Sequence, residues 1–268
     1  MTAELGVLGA GAMGSAIVRG AIDAGLVRPI RIVVVEPDDD RRDAMRALGC
    51  CVTGVPQLAI DADVLLLAIK PQKFAGVVAA IGHLQQPTLV LTVMAGLSSA
   101  VIRQAMGVHA RVVRMMPNTP CRIRKGMTAI AKGEGARAAD VDFAHRLMRE
   151  LGEVVHIDES HMHAVTAVSG SGPAYVFLLA EAMEQAGVQI GLDGRTARLL
   201  AYQTVFGAGA LLVDDPETTA DSLRNAVTSP GGTTAAALEV MFEKELPQII
   251  AEAISSARDR GMELGAAR

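Results

Sequence analysis

The chain has 268 residues, a formal net charge of −4 and 50 % hydrophobic residues. That length supports a large core and two domains, and the acidic balance with scattered basic residues argues against nucleic acid as a partner. No apolar run approaches the roughly 18 residues of a membrane span, and Met1-Thr2-Ala3-Glu4 lacks the basic stretch of a secretory signal.

Cys50, Cys51 and Cys121 fit neither a disulfide framework nor a metal-ligand spacing. A reducing cytoplasm and a metal-free protein are expected. Trp is absent and Tyr175 and Tyr202 are the only tyrosines, so the core must be built from Ala, Val, Leu and Met.

The first half alternates strand and helix. Leu5–Leu8 reads as a buried strand entering the turn Gly9-Ala10-Gly11-Ala12-Met13-Gly14, and residues 12–24 read as a helix. Residues 31–35 form a second strand that stops at Glu36-Pro37, and 38–48 look helical. Residues 64–69, 88–93 and 111–115 continue the strand series, and 152–157 close it. Continuous β-branched runs separated by helices imply a parallel sheet covered on both faces.

Beyond Asp158 no strand pattern follows. Residues 173–187 place Tyr175, Leu178, Leu179, Ala182, Met183 and Ala186 on one helical face. Asp193 is a good N-cap for a helix through Leu212, with Leu200, Ala201, Val205, Ala208 and Leu211 spaced for burial. Pro247 suits the first turn of a last helix ending near Gly261. The division expected is therefore an α/β domain over 1–158 and a helical domain over 159–268.

Gly9, Gly11 and Gly14 after a strand, with Glu36 ending the next strand 22 residues beyond Gly14, form a strong dinucleotide signal. Ala68-Ile69-Lys70-Pro71 and Ala95-Gly96 lie at strand ends, where open sheets bind ligands. Asn118, between Pro117 and Pro120, either faces the nicotinamide side or makes a structural turn. Lys70 is equally readable as a solvated lysine. Two further glycine-rich segments, residues 169–174 and 229–234, precede apolar helices and are read as turns that can present N–H groups to a carboxylate. If the substrate is a protonated imine, hydride transfer needs mainly orientation, which a carboxylate gripped by Gly231, Gly232, Thr233 and Thr234 would give, with the Thr234 hydroxyl bonding the ring nitrogen. Simple capping of the helix by Ser229 is the competing account. His156, His161 and His163 cluster near the domain junction, where a solvated or hydrogen-bonding role is expected.

Gly9 to Gly14, Ala68 to Pro71, Arg114 to Pro120, Ser169 to Tyr175 and Ser229 to Thr234, in this order over nearly the whole chain, resemble the pyrroline-5-carboxylate reductase family. The resemblance implies reduction of L-1-pyrroline-5-carboxylate to L-proline by NADPH or NADH. It implies a Rossmann-type N-terminal domain, an all-α C-terminal dimerisation domain, and homodimers that often build decamers. It also implies cofactor contacts at Gly9, Ala10, Gly11, Ala12, Met13, Gly14, Ala68, Ile69, Lys70, Pro71 and Ala95. Substrate contacts fall at Gly232, Thr233 and Thr234, with Glu159 as an acidic residue near the ligands.

The sequence departs from the family at Glu36, in the basic segment after Pro120, and at Gly54-Val55-Pro56, which lacks the asparagine often found near the adenine side. Glu36 stands where Ser, Asn or Thr is usual, which favours NADH, although Arg41 and Arg42 follow closely. Residues 122–125 are unusually basic. Another imine reductase or a β-hydroxyacid dehydrogenase of similar architecture is the alternative; the latter would need a base, often lysine, after the junction, and residues 159–175 contain none. A non-enzymatic nucleotide-binding protein would have no use for glycine-rich segments outside the cofactor domain.

Overall fold

The structure is a computed structural model that describes residues 3–215 and 217–266. Met1 and Thr2, which entered the signal-sequence reading, lie outside them.

Eight strands form one sheet in the order β3-β2-β1-β4-β5-β6-β7-β8. They are β1 (Leu5–Leu8), β2 (Ile32–Val35), β3 (Cys51–Thr53), β4 (Val64–Leu67), β5 (Thr88–Thr92), β6 (Ala110–Pro117), β7 (Gly126–Lys132) and β8 (Gly152–His156). All pairs are parallel except β6 with β7. The helices α1 (Ala12–Asp23), α2 (Asp39–Arg46) and α5 (Ala138–Arg149) cover one face, and α3 (Phe74–Ile81) and α4 (Ser99–Met106) the other. Ile17, Val18, Met45, Leu147 and Met148 fill the first layer, and Phe74, Ile81, Ile102 and Met106 the second. The sheet is thus the doubly wound Rossmann type, and its strand order reverses beside β1, between β1 and β4.

The pattern reading located six of the eight strands. It carried β4 two residues too far and cut β6 short at both ends. It did not find β3, which has three residues, none of them buried. It also passed over β7, whose Gly, Thr and Ala positions lack a strong strand signature, although four of its last five residues are buried.

After β8 the chain forms a short helix α6 (Met162–Val165), a π-helical turn (Thr166–Gly170), and the helices α7 (Gly172–Gln189), α8 (Gly194–Asp214), α9 (Ala220–Ala226), α10 (Thr233–Glu243) and α11 (Leu246–Ala266). Two compact units result: residues up to Ser171 with those from Ala257 onward, and Gly172–Ser256.

In the second unit Asp193 caps α8 as expected, accepting from the N–H groups of Arg195 and Thr196 at 3.1 Å. Of the two faces read as spaced for burial, Ala201 is buried and the large side chains are not. Leu178 is 66 % exposed and Leu200 52 %, whereas Ala197 and Ala201 of α8 are buried. By length and composition α8 could cross a membrane, a property its interrupted apolar pattern concealed. The last helix runs five residues past Gly261 to Ala266, because glycine there permits close packing on His163 and does not end the helix.

Two glycines show how tightly the first unit is drawn together. A Cβ on Gly6 of β1 would lie 2.0 Å from the carbonyl oxygen of Ala59, whereas one on Gly76 of α3 would meet nothing within 4 Å. Gly6→Ala should therefore destabilise the fold by about 1–3 kcal/mol, and Gly76→Ala should stabilise it by roughly 0.5–1 kcal/mol. Denaturant unfolding of the two variants measures both, and equal shifts would refute the packing argument.

Candidate active site

The glycine turn joins β1 to α1. Gly9 has φ +96°, and a Cβ on it would lie 2.6 Å from the Ala68 carbonyl oxygen. A Cβ on Gly14 would lie 2.1 Å from the Gly9 carbonyl oxygen and 3.1 Å from the Ala68 Cβ. Gly9, Gly14 and Ala68 therefore lock the turn against the end of β4. Gly11 is the N-cap of α1 with no side-chain cap, so the first-turn N–H groups of the helix lack an intrahelical partner. A Cβ at Gly11 would meet only the Arg41 Nη1, at 3.9 Å. That open face over an uncapped helix start is what a dinucleotide pyrophosphate requires.

Glu36 follows β2 and is 3 % exposed. Its Oε2 accepts from the Ala10 N–H at 2.7 Å and its Oε1 from the Asp38 N–H at 3.2 Å. The carboxylate thus ties the second strand to the glycine turn. Arg41 lies nearer than its place in the sequence suggests, with Nη1 3.7 Å from the Glu36 Oε1. Arg42 turns away, pairing with Asp39 and donating to the carbonyl oxygens of Glu36 and Pro37.

Ala68 and Ile69 are half-buried, and Lys70 is exposed at the start of the turn opened by Pro71. Ala12 and Ala95 are exposed and Met13 is half-buried. Asn118 cross-links the loop after β6, its Oδ1 accepting from the Met127 N–H at 2.9 Å and its Nδ2 donating to the Ser169 Oγ at 3.4 Å.

Glu159 turns its carboxylate onto protein groups. Oε1 accepts from the Ser99 N–H at 2.6 Å and from the Arg114 Nη1 at 3.1 Å, and Oε2 meets the Ser99 hydroxyl. Burial lowers the Arg114 pKa and the Glu159 charge opposes that shift. Ser99 and Arg114 escaped the sequence reading, because a serine one residue past a helix N-cap and an arginine within a strand carry no distinguishing pattern. Burial, followed by the Arg114 charge, lowers the pKa of the neighbouring His163. Burial, followed by the charge of Cys51, pushes the Cys50 thiol up to about 11. Burial raises Cys121 as well, so neither buried thiol is a ready nucleophile.

The segment 169–174 differs from its reading as a turn. Residues 166–170 are π-helical and the Ser171 N–H donates to the Thr166 carbonyl oxygen at 2.8 Å, so that donor is already engaged within the chain. In the second unit, residues 229–234 do form a turn. Gly231 has φ +69° and Gly232 is the N-cap of α10 with no side-chain cap, which excludes capping by Ser229. The Gly232 N–H donates to the Ser229 carbonyl oxygen at 3.0 Å, so the donors left for a ligand are those of the first helical turn, starting at Thr233 and Thr234.

A chain folded in this way around an open glycine turn falls in the class of dinucleotide-dependent oxidoreductases. Residues 4–96 match the family described as NADP oxidoreductase, coenzyme F420-dependent, and residues 159–264 match pyrroline-5-carboxylate reductase dimerisation. A pyrroline-5-carboxylate reductase of Synechocystis is 39 % identical, over 99 % of each chain. The solved pyrroline-5-carboxylate reductase of Coxiella burnetii is 34 % identical with a TM-score of 0.86, covering 98 % of this chain and 99 % of that one. The Plasmodium falciparum pyrroline carboxylate reductase, solved with NADP bound, is 25 % identical with a TM-score of 0.87 over 98 % of each. The chain belongs to the pyrroline-5-carboxylate reductase family.

The Glu159 network gives a stability prediction. Arg114 has a side chain only 5 % exposed, and Glu159→Ala would strand its charge. The loss should be about 3–5 kcal/mol, the range for removing one partner of a buried pair. Urea unfolding that shows a loss below about 1 kcal/mol would mean Arg114 finds another anion or water.

Proposed function

We propose that the protein reduces L-1-pyrroline-5-carboxylate to L-proline with hydride from NADPH or NADH, the last step of proline biosynthesis. The observation that carries this reading is the uncapped start of α10, where N–H donors and the hydroxyls of Thr233 and Thr234 stand together. That start suits a carboxylate attached to a small ring. The nicotinamide cofactor supplies the hydride. The chain's own contribution is orientation: the α10 N–H groups hold the carboxylate, and the Thr234 hydroxyl accepts a hydrogen bond from the protonated ring nitrogen. Hydride adds to the imine carbon, and nitrogen keeps its proton and receives the electron pair of the C=N bond. No protein group need donate a proton in that step.

Gly9 to Gly14, Ala68 to Pro71, Ala95 and Asn118 are proposed to line the dinucleotide, Ser229 and Gly231 to shape the substrate turn, and Glu159 to act on the site through Ser99 and Arg114. Residues 1–158 and 159–268 are proposed as the cofactor and the dimerisation and substrate parts. Self-association as a homodimer is supported by the bare apolar faces of α7 and α8, and assembly of dimers into a decamer is carried over from the family resemblance. Phe177, Leu199 and Phe206 are each more than 60 % exposed in the single chain. A cytoplasmic setting completes the reading.

Thr234→Ala should lower kcat/KM for pyrroline-5-carboxylate by the equivalent of roughly 1–3 kcal/mol while cofactor affinity holds. Steady-state kinetics with a cofactor titration reads both, and an unaltered kcat/KM would take Thr234 out of the mechanism.

NADH is proposed to be used at least as well as NADPH. A ribose 2′-phosphate would approach the Glu36 carboxylate, a repulsion on the order of 1–3 kcal/mol. Glu36→Ser should shift preference toward NADPH, measured as kcat/KM for both cofactors. A wild-type enzyme that strongly prefers NADPH would contradict the assignment.

A further inference from the structure

The basic segment after Pro120 finds a place in the fold. The turn Thr119–Ile123 is pinned on both sides. Cys121 is buried, and Arg124 ends the turn at φ +57° and pairs with Asp23 in the last turn of α1. Arg122 is thereby held against α1. A cavity of about 320 Å³ opens there, lined by Arg122, by Arg19 and Ser15 of α1, by Arg41 of α2, and by Ala10 and Ala12 of the glycine turn.

Three guanidinium groups around one cavity repel each other unless an anion joins them. Arg41 has distant acidic neighbours, Glu36 at 3.7 Å and Asp38 at 4.0 Å. Arg19 and Arg122 make no ion pair among the described residues, although Arg42, Arg46 and Arg124 nearby all do. The cavity also shares Ala10 and Ala12 with the uncapped start of α1.

We propose that Arg19, Arg41 and Arg122 form a phosphate-monoester subsite on the outer flank of the glycine turn. Guanidinium forks suit phosphate oxygens in geometry and charge. Two sources carry that group: the 2′-phosphate of NADPH, and a free phosphate compound. As the seat of the 2′-phosphate, the subsite counters Glu36 and keeps NADPH usable. This rests on the reductase reading above and deepens it.

The test uses Arg19→Ala and Arg122→Ala, both at exposed positions, in the full-length protein. The first arm is the ratio of kcat/KM for NADPH to that for NADH. The ratio of dissociation constants from nicotinamide fluorescence titration accompanies it. The titration reads the subsite even if pyrroline-5-carboxylate proves not to be the substrate, so the two readings fail separately. The second arm is the rise in Tm given by inorganic phosphate. A fall of about 10-fold or more in NADPH relative to NADH, the worth of one charge-assisted contact, supports the subsite with the cofactor as occupant. Unaltered cofactor ratios with loss of the phosphate-induced rise in Tm support it with a free phosphate as occupant. Unaltered ratios together with no rise in Tm, or a rise equal in wild type and variants, overturn the proposal.

Discussion

The constraint on which the cofactor side depends is steric. Between the turn after β1 and the end of β4 there is no room for a Cβ on Gly9 or Gly14. Because the turn lies against Ala68, the start of α1 is fixed over the switch point of the sheet. The Ala68 N–H donates to the Leu8 carbonyl oxygen at 2.9 Å, which continues the β1–β4 pairing into the turn itself. The helix start can then face a phosphate without any side chain to cap it. A residue larger than glycine would move the helix, and with it every donor the pyrophosphate uses.

The second unit obeys a different constraint. From Gly172 to Ser256 only Ala197 and Ala201 are buried among the described residues, while Phe177, Phe206 and a series of Leu and Val side chains face outward. Burial of one such side chain contributes about 1.5–3 kcal/mol. A helical unit that withholds most of them from its own core has little to set against its conformational entropy. The packing it does make is between small residues: a Cβ on Gly187 of α7 would already lie 3.1 Å from the Ala197 Cβ. Small residues bring α7 and α8 together and leave the larger ones facing outward, within the segment that matches the dimerisation family.

This explains which parts of the fold were legible in the sequence. Strands buried on both faces, such as β1 and β5, show as unbroken apolar runs and were found within a residue or two. β7 depends on its antiparallel partner β6 and on a pinned turn, neither of which has a local pattern. The helical spacing on α7 and α8 was real, but periodicity reports only that a face is apolar, not what covers it. The π-helical turn at 166–170 was unreadable for the same reason. Its Gly and Ser residues look like a loop, and only packing around Met116, Met162 and Ala131 reveals a helix.

The two carboxylates singled out in the sequence show the limit most clearly. Glu36 and Glu159 were both read as groups near a ligand. Each accepts from a backbone N–H far away in sequence, that of Ala10 for Glu36 and that of Ser99 for Glu159. A sequence records that a carboxylate stands at a strand end or a junction, but not whether its oxygens are already engaged. An ionised carboxylate has about four acceptor sites, so engagement with the backbone does not exclude a ligand. What it does is fix direction. Glu36, held at both oxygens by N–H groups, cannot swing away from a charge brought beside it. The neighbouring cation, Arg41, is by contrast 55 % exposed and sits 3.7 Å from the carboxylate. A buried, doubly held anion and an exposed cation thus stand side by side next to the turn that the glycines hold in place.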